Sequence, residues 1–144
     1  MSTPHDLEGA LEAALVAWAN NVAVHSIDLS AYHIATSQED KTSPVTLPAI
    51  IFQASRVVEE IGSGAWELDV EAIIRVQADD TSTANVSAEW DKLVAILFWD
   101  DLATRLTTAT LKTWAVRYMQ PTSGSVEERH WDNVFRFKCW CGEI

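Results

Sequence analysis

Two histidines flanking an aspartate, His25, Asp28 and His33, are the first residues of this 144-residue chain whose types could do chemistry, gathered around a metal ion. No second carboxylate or thiolate stands at a spacing that would complete such a site. His130 and Asp132 offer a general base and the carboxylate that orients it, but two positions apart in a loop or strand start they need not meet. Cys139 and Cys141 offer two soft ligands where zinc takes four, and the nearest histidine, His130, lies outside the usual spacing. In a strand these cysteines share one face near the upper Cα separation for a disulfide, which predicts reduced, buried thiols. The carboxylate pairs Asp79-Asp80 and Asp100-Asp101 could bind Mg²⁺ or Ca²⁺, but both precede helical patterns, where aspartate caps free N–H groups. The sequence contains no Gly-rich phosphate loop and neither HExxH nor GxSxG. We expect no catalytic residue, cofactor or metal site.

The elements that must carry these residues follow from periodicity. Thr3-Pro4, then Asp6 and Glu8, predict a helix start, and Leu7, Leu11, Ala14, Leu15, Trp18 and Val22 form its apolar stripe. A short strand is expected within 23–34, followed by an exposed polar loop at about 35–47 that ends near Pro44. From Ala65 to Ala78, Trp66, Leu68, Val70, Ala72, Ile74 and Val76 alternate with Glu67, Asp69, Glu71, Arg75 and Gln77, which predicts a long antiparallel strand. It forms a hairpin with the Ile- and Val-rich run from Pro48 to Ile61 across Gly62-Ser63-Gly64. A two-residue turn would send Val57 and Ile51 inward with Glu59 and Gln53; the preferred three-residue turn buries Ile50, Phe52, Ala54 and Val58 but points Arg56 and Glu60 the same way, a conflict that a bulge near Arg56 would relieve.

Val86, Trp90, Leu93, Val94 and Leu97 predict a second helix, and Asp100-Asp101 a short turn carrying Leu102 and Leu106. A strand follows over 107–120, then a loop at Pro121 to Ser125. The last strand runs from about Trp131 to Cys141, with Phe135, Phe137, Cys139 and Cys141 on one face. The expected fold is α+β: a two-layer sandwich in order α-β-β-α-β-β, an antiparallel sheet of about four strands with helices on one face, as one domain over residues 1–144.

Composition narrows the function classes. Ten Lys and Arg against 21 Asp and Glu give a formal net charge of −11, which disfavours a nucleic-acid binder or an anionic membrane surface. Residues 1–48 carry one basic and six acidic residues, 49–108 four and eleven, and 109–144 five and four. The N-terminus lacks the cationic region of a signal peptide, and no apolar run approaches the roughly 20 residues of a membrane span. Seven tryptophans exceed what a core of this size needs. Trp18, Trp66 and Trp90 fall at core positions, whereas Trp99, Trp114, Trp131 and Trp140 fit an interface.

Leu47-Pro48-Ala49-Ile50-Ile51-Phe52 leads into a hairpin whose second strand ends in Ile74-Arg75-Val76-Gln77-Ala78-Asp79-Asp80-Thr81-Ser82, before a helix and two strands. This layout, from Thr3 to Cys141, resembles the tail-terminator and tail-completion proteins of long-tailed bacteriophages. The resemblance implies a non-enzymatic virion protein of the head-tail neck, assembled in the host cytoplasm. It also implies a hexameric ring that stops tail-tube growth, contacts the tail tube protein and the head-tail connector, and lets DNA pass without binding it. On this reading Glu67, Asp69 and Glu71 are candidate lumen residues, since carboxylates repel phosphate. Trp99, Trp114, Arg117, Trp131, Arg136, Lys138 and Trp140 are candidate interface residues. The alternatives are another neck or minor tail component of the same fold or, from a different class, a ligand-binding module or small hydrolase with a site spread over His25, Asp28, His33 and His130.

Overall fold

Helix α1 runs from Pro4 to Ala19, and its predicted stripe faces inward: Leu7, Leu11, Ala14, Leu15 and Trp18 are all buried. The computed structural model describes residues 4–30, 32–37, 39, 48–56, 65–77, 91–108, 111–118, 122–127 and 130–143. Val22 does not extend the stripe. It starts a separate short helix, α2 (Val22–His25), and is exposed. The turn that ends α2 places Ser26 in the left-handed region at φ 61°, with its N–H donated to the Val22 carbonyl.

The strands are β1 (His33–Thr36), β2 (Ala49–Arg56), β3 (Ala65–Gln77), β4 (Leu111–Tyr118), β5 (Thr122–Glu127) and β6 (His130–Glu143). Between β3 and β4 lie α3 at 91–97 and α4 (Leu102–Arg105). The fold is α+β, a mixed sheet in the order β1-β2-β3-β6-β4 with helices packed against it, and β5 joins β6 on the side that β4 occupies. The element order departs from the expected α-β-β-α-β-β by an additional early strand and by β5, an additional short strand ahead of the last. The early strand, β1, pairs in parallel with β2 through His33↔Ala49 to Thr36↔Phe52, so the sheet is not purely antiparallel. The described residues of 23–34 hold most of α2 and a stretch that is neither helix nor strand, with only the start of β1 reaching into the predicted strand. Ala35 is buried inside β1, so the expected loop at 35–47 loses its first residues to the sheet.

The β2–β3 ladder runs without a shift from Ala49↔Arg75 to Arg56↔Leu68. This is the register that puts Ile50, Phe52 and Ala54 in the core, and no bulge interrupts its described pairs; Val58 and Glu60 lie outside the described residues. Leu68, Val70, Ala72 and Ile74 of β3 join them, as do Phe135, Phe137, Cys139 and Cys141 of β6. Leu93, Ile96, Leu97, Leu102 and Leu106 cover this face from α3 and α4. Full burial of each such aliphatic side chain contributes about 1.5–3 kcal/mol.

At its far side β6 is lined end to end by two strands. β4 pairs with its second half, from Leu111↔Glu143 to Tyr118↔Phe137, and β5 with its first half, from Thr122↔Val134 to Glu127↔His130. The segment Thr122 to Ser125, expected as loop, is therefore strand. Within β4 a bulge sets Trp114 and Ala115 against the single residue Trp140. Leu111 and Thr113 are inward before it and Val116 packs on the core after it, so the alternation changes phase.

One buried carboxylate ties the layers together. Where β1 stops, Glu12 of α1 accepts the N–H of Ser37 (2.8 Å), the Ser37 hydroxyl (2.7 Å) and the N–H of Ala54 (3.1 Å). It thus satisfies backbone donors, the N–H of Ser37 and that of Ala54, just where the β1 strand ends.

Candidate functional site

Among the described side chains, His25, Asp28 and His33 do not assemble into a site. His25 is buried and both ring nitrogens are engaged: Nδ1 accepts the Ile27 N–H at 2.9 Å, so Nε2 carries the proton donated to the Ala19 carbonyl at 3.0 Å. His33 instead meets Glu39 at 3.1 Å. Asp28 accepts the Ser30 N–H at 2.9 Å, and its pKa is held below the usual carboxylate value by bonds from Ser30. Among the described residues no three His, Cys, Asp or Glu side chains group as metal ligands. His130 and Asp132 lie in β6, opposite Gln77 and Arg75, but their side chains fall outside the described residues.

Asp101 occupies the N-cap position of α4 yet makes no side-chain cap bond; it reaches Arg105 at 3.3 Å, one turn on. The capping role expected of it is thus replaced by an ion pair. Asp79-Asp80 and Trp90 lie outside the described residues.

Cys139 and Cys141 are free and buried, side by side on the core face. The hydrogen bond with Cys141, then burial, pushes the Cys139 thiol well up from its ordinary pKa. The Thr113 hydroxyl lies 3.5 Å from the Cys141 sulfur.

An aromatic cluster forms where α1, α3 and α4 converge. Trp18 donates Nε1–H to the Ile96 carbonyl at 2.9 Å, meets Trp99 at 5.4 Å and His25 edge-on at 5.2 Å, and carries Arg105 over its ring at 5.8 Å. Trp99 is thereby packed against the core rather than free-standing.

The other candidates, Trp131 excepted, meet on the sheet face opposite the core cluster, here called the outer face. Register places Glu67 opposite Trp140, Asp69 opposite Lys138 and Glu71 opposite Arg136, with Arg117 beyond Lys138 on β4. The Lys138 ammonium donates to Glu67 at 3.2 Å and approaches Asp69 at 3.6 Å, while Arg136 lies 3.8 Å from Glu71. The bond to Glu67 raises the Lys138 pKa above the ordinary lysine value, with Asp69 adding to the effect. Oδ1 of Asp69 is buried without a hydrogen bond, so Lys138 is the cation that offsets it. The acidic row and the basic row, read from the sequence as separate surfaces, are one charge-paired ladder. A face on which both signs alternate does not repel phosphate as an all-acidic wall would.

Burial across this face is graded. Ala35, Ala49 and Ile51 are fully buried at the β1–β2 end, whereas Lys112, Trp114 and Arg117 are exposed at the β4 end, Trp114 to 48%. Trp140 is half-buried between Glu67 and the bulge. Trp131 pairs with Val76 and Val126 through its backbone, and its side chain is outside the described residues. Reading the sequence placed Arg75 on this face without singling it out as a candidate, and missed Lys112. Alternation along β3 was the signal for Arg75, but Lys112 depends on the phase change at Trp114. No protein-family model matches the chain, and no curated protein matches it.

Proposed function

We propose that this protein is a non-enzymatic assembly component, a ring-forming tail terminator that caps a phage tail tube and joins it to the head connector. The observation that supports this best is the outer face: paired charges across β3 and β6, bordered by Trp140 and the exposed Trp114. Tryptophan and arginine dominate the binding energy of protein contacts, and interdigitated charges set register between subunits. The histidines available for catalysis among the described side chains support this reading too, since His25 is occupied by backbone partners. In this role the protein needs no cofactor, acts in the virion neck, and keeps DNA at a distance through its net charge of −11.

Tube protein polymerised with and without this chain, and viewed by electron microscopy, tests the proposal. Arrested tubes with a ring at one end are expected. Tubes that grow unhindered with bare ends rule it out, and binding to the connector alone would favour another neck component.

A further inference from the structure

We infer that the open edge of β4 docks an extended, carboxylate-bearing segment of a different protein, which adds to the sheet as a further strand. Such a contact does not depend on the tail role proposed above. β4 ends the strand order β1-β2-β3-β6-β4, so one of its edges meets no strand among the described residues. The first half of that edge is already closed. Thr108 donates its N–H to the Leu111 carbonyl at 2.8 Å and accepts the Leu111 N–H on its hydroxyl at 3.1 Å. The Thr107 hydroxyl accepts the Thr113 N–H at 3.1 Å. Backbone groups of a strand point to alternate sides, and the bulge adds one residue. Beyond it, Val116 and Tyr118 therefore turn their N–H and C=O groups to the side that Leu111 and Thr113 face. Among the described residues no strand covers that second half.

The side chains along this stretch select the occupant. Lys112, Trp114 and Arg117 are exposed. Arg117 stands opposite Lys138, whose ammonium is engaged by Glu67 and Asp69, and neither Arg117 nor Lys112 has an ion pair among the described residues. Glu127 and Asp132 fall on the same face by register, but at the β5 end of β6; Asp132 is six positions from Lys138, roughly 20 Å along the strand. A second copy pairing antiparallel through this stretch would set Arg117 against Arg117, and like charges directly opposite each other are destabilising. A basic strand is turned away for the same reason. A segment with carboxylates on the matching face instead meets Lys112 and Arg117. Main-chain bonds at Val116 and Tyr118 then supply affinity, and Trp114, exposed to 48%, supplies a large apolar contact.

A fluorescein-labelled peptide of alternating Val and Glu, matched to the 8 residues of β4, tests this when titrated into the full-length protein and read by polarisation. Saturable binding is expected, and none by the same peptide with Lys in place of Glu. N-methylation of every second amide, in either phase, keeps the charge and removes the strand donors of one peptide edge. The form blocked on the docking edge should bind about tenfold or more weakly. Lys112→Glu with Arg117→Glu should weaken binding as much. Val116→Pro should do the same, because it deletes an N–H that β6 does not use. Circular dichroism checks that both variants fold. Absence of saturable binding, equal binding of all the peptide forms, or variants that bind like the wild type overturns the inference. A self-associated wild type that the peptide disperses overturns it as well, since the edge would then belong to a second copy.

Discussion

Glu12 and Ala54 are 42 residues apart in the chain, yet the carboxylate of the first accepts the backbone N–H of the second at 3.1 Å. The same carboxylate takes both donors of Ser37, so one side chain fixes α1 to the ends of two neighbouring strands.

Replacing Glu12 with Ala should therefore destabilise the protein by about 2 kcal/mol or more, since each buried donor left without an acceptor costs roughly 1–3 kcal/mol. Urea denaturation would measure it. A loss within about 0.5 kcal/mol, the range of ordinary surface substitutions, would mean that water serves these donors equally well.

The β4 bulge makes an unusual deletion tolerable. Removing one residue from a strand normally turns every later side chain to the wrong face. Removing Trp114 leaves Thr113 inward and Ala115 outward in unbroken alternation, with Leu111 and Val116 still on the core side. The Trp114 deletion should retain a cooperative thermal transition, whereas deletion of Val116 should abolish it. Equal damage from both would contradict the register.

Native Cys139 should resist alkylation. Its thiolate is disfavoured by the bond with Cys141 and by burial, and the thiolate is the reactive form. Iodoacetamide at mildly alkaline pH is expected to leave Cys139 unmodified in the folded protein and to label both cysteines in denaturant. Mass spectrometry of the quenched samples reports the difference, and rapid labelling of folded Cys139 would refute it.

Alkaline pH should weaken the outer-face ladder. Because the bond to Glu67 raises the Lys138 pKa in the folded state, its stabilising contribution is complete below the unfolded lysine value of about 10.4. It is lost as pH rises through the raised folded value. Denaturation midpoints of the wild type should thus fall more steeply above about pH 10.4 than those of Lys138→Met. Lys138→Met should also be less stable at neutral pH, because Oδ1 of Asp69 keeps its burial and loses its cation. Parallel pH profiles would show that the pair carries no linkage.

Much of the core was legible because it is periodic. The stripe of α1, the alternation of β3 and the inward row Phe135, Phe137, Cys139 and Cys141 each repeat a local pattern that one buried face imposes. What escaped depends on distant partners. β1 has only four residues, and its strand character comes from β2, twelve or more positions away, rather than from its own alternation. β5 is built from Thr, Ser and Gly that read as loop until β6 supplies its ladder. Glu12 sits three residues before Leu15 and seven before Ala19, on the flank of a buried stripe, but only the end of β1 explains why a carboxylate belongs there. The outer face was half legible: alternation gave its acidic row, while the opposing cations required the β3–β6 register.

That register also sets the order in which the protein can be completed. β6 lies between β3 on one side and β4 with β5 on the other, although it follows all of them in the chain. While the ribosome is still making β6, the earlier strands wait with the edges it will fill unsatisfied, and Leu68 has to wait for Cys139. Contacts of such long sequence separation slow folding and leave strand edges open to misassociation. A stalled or slowed nascent chain lacking β6 is therefore the form of this protein that chaperones are most needed to shield.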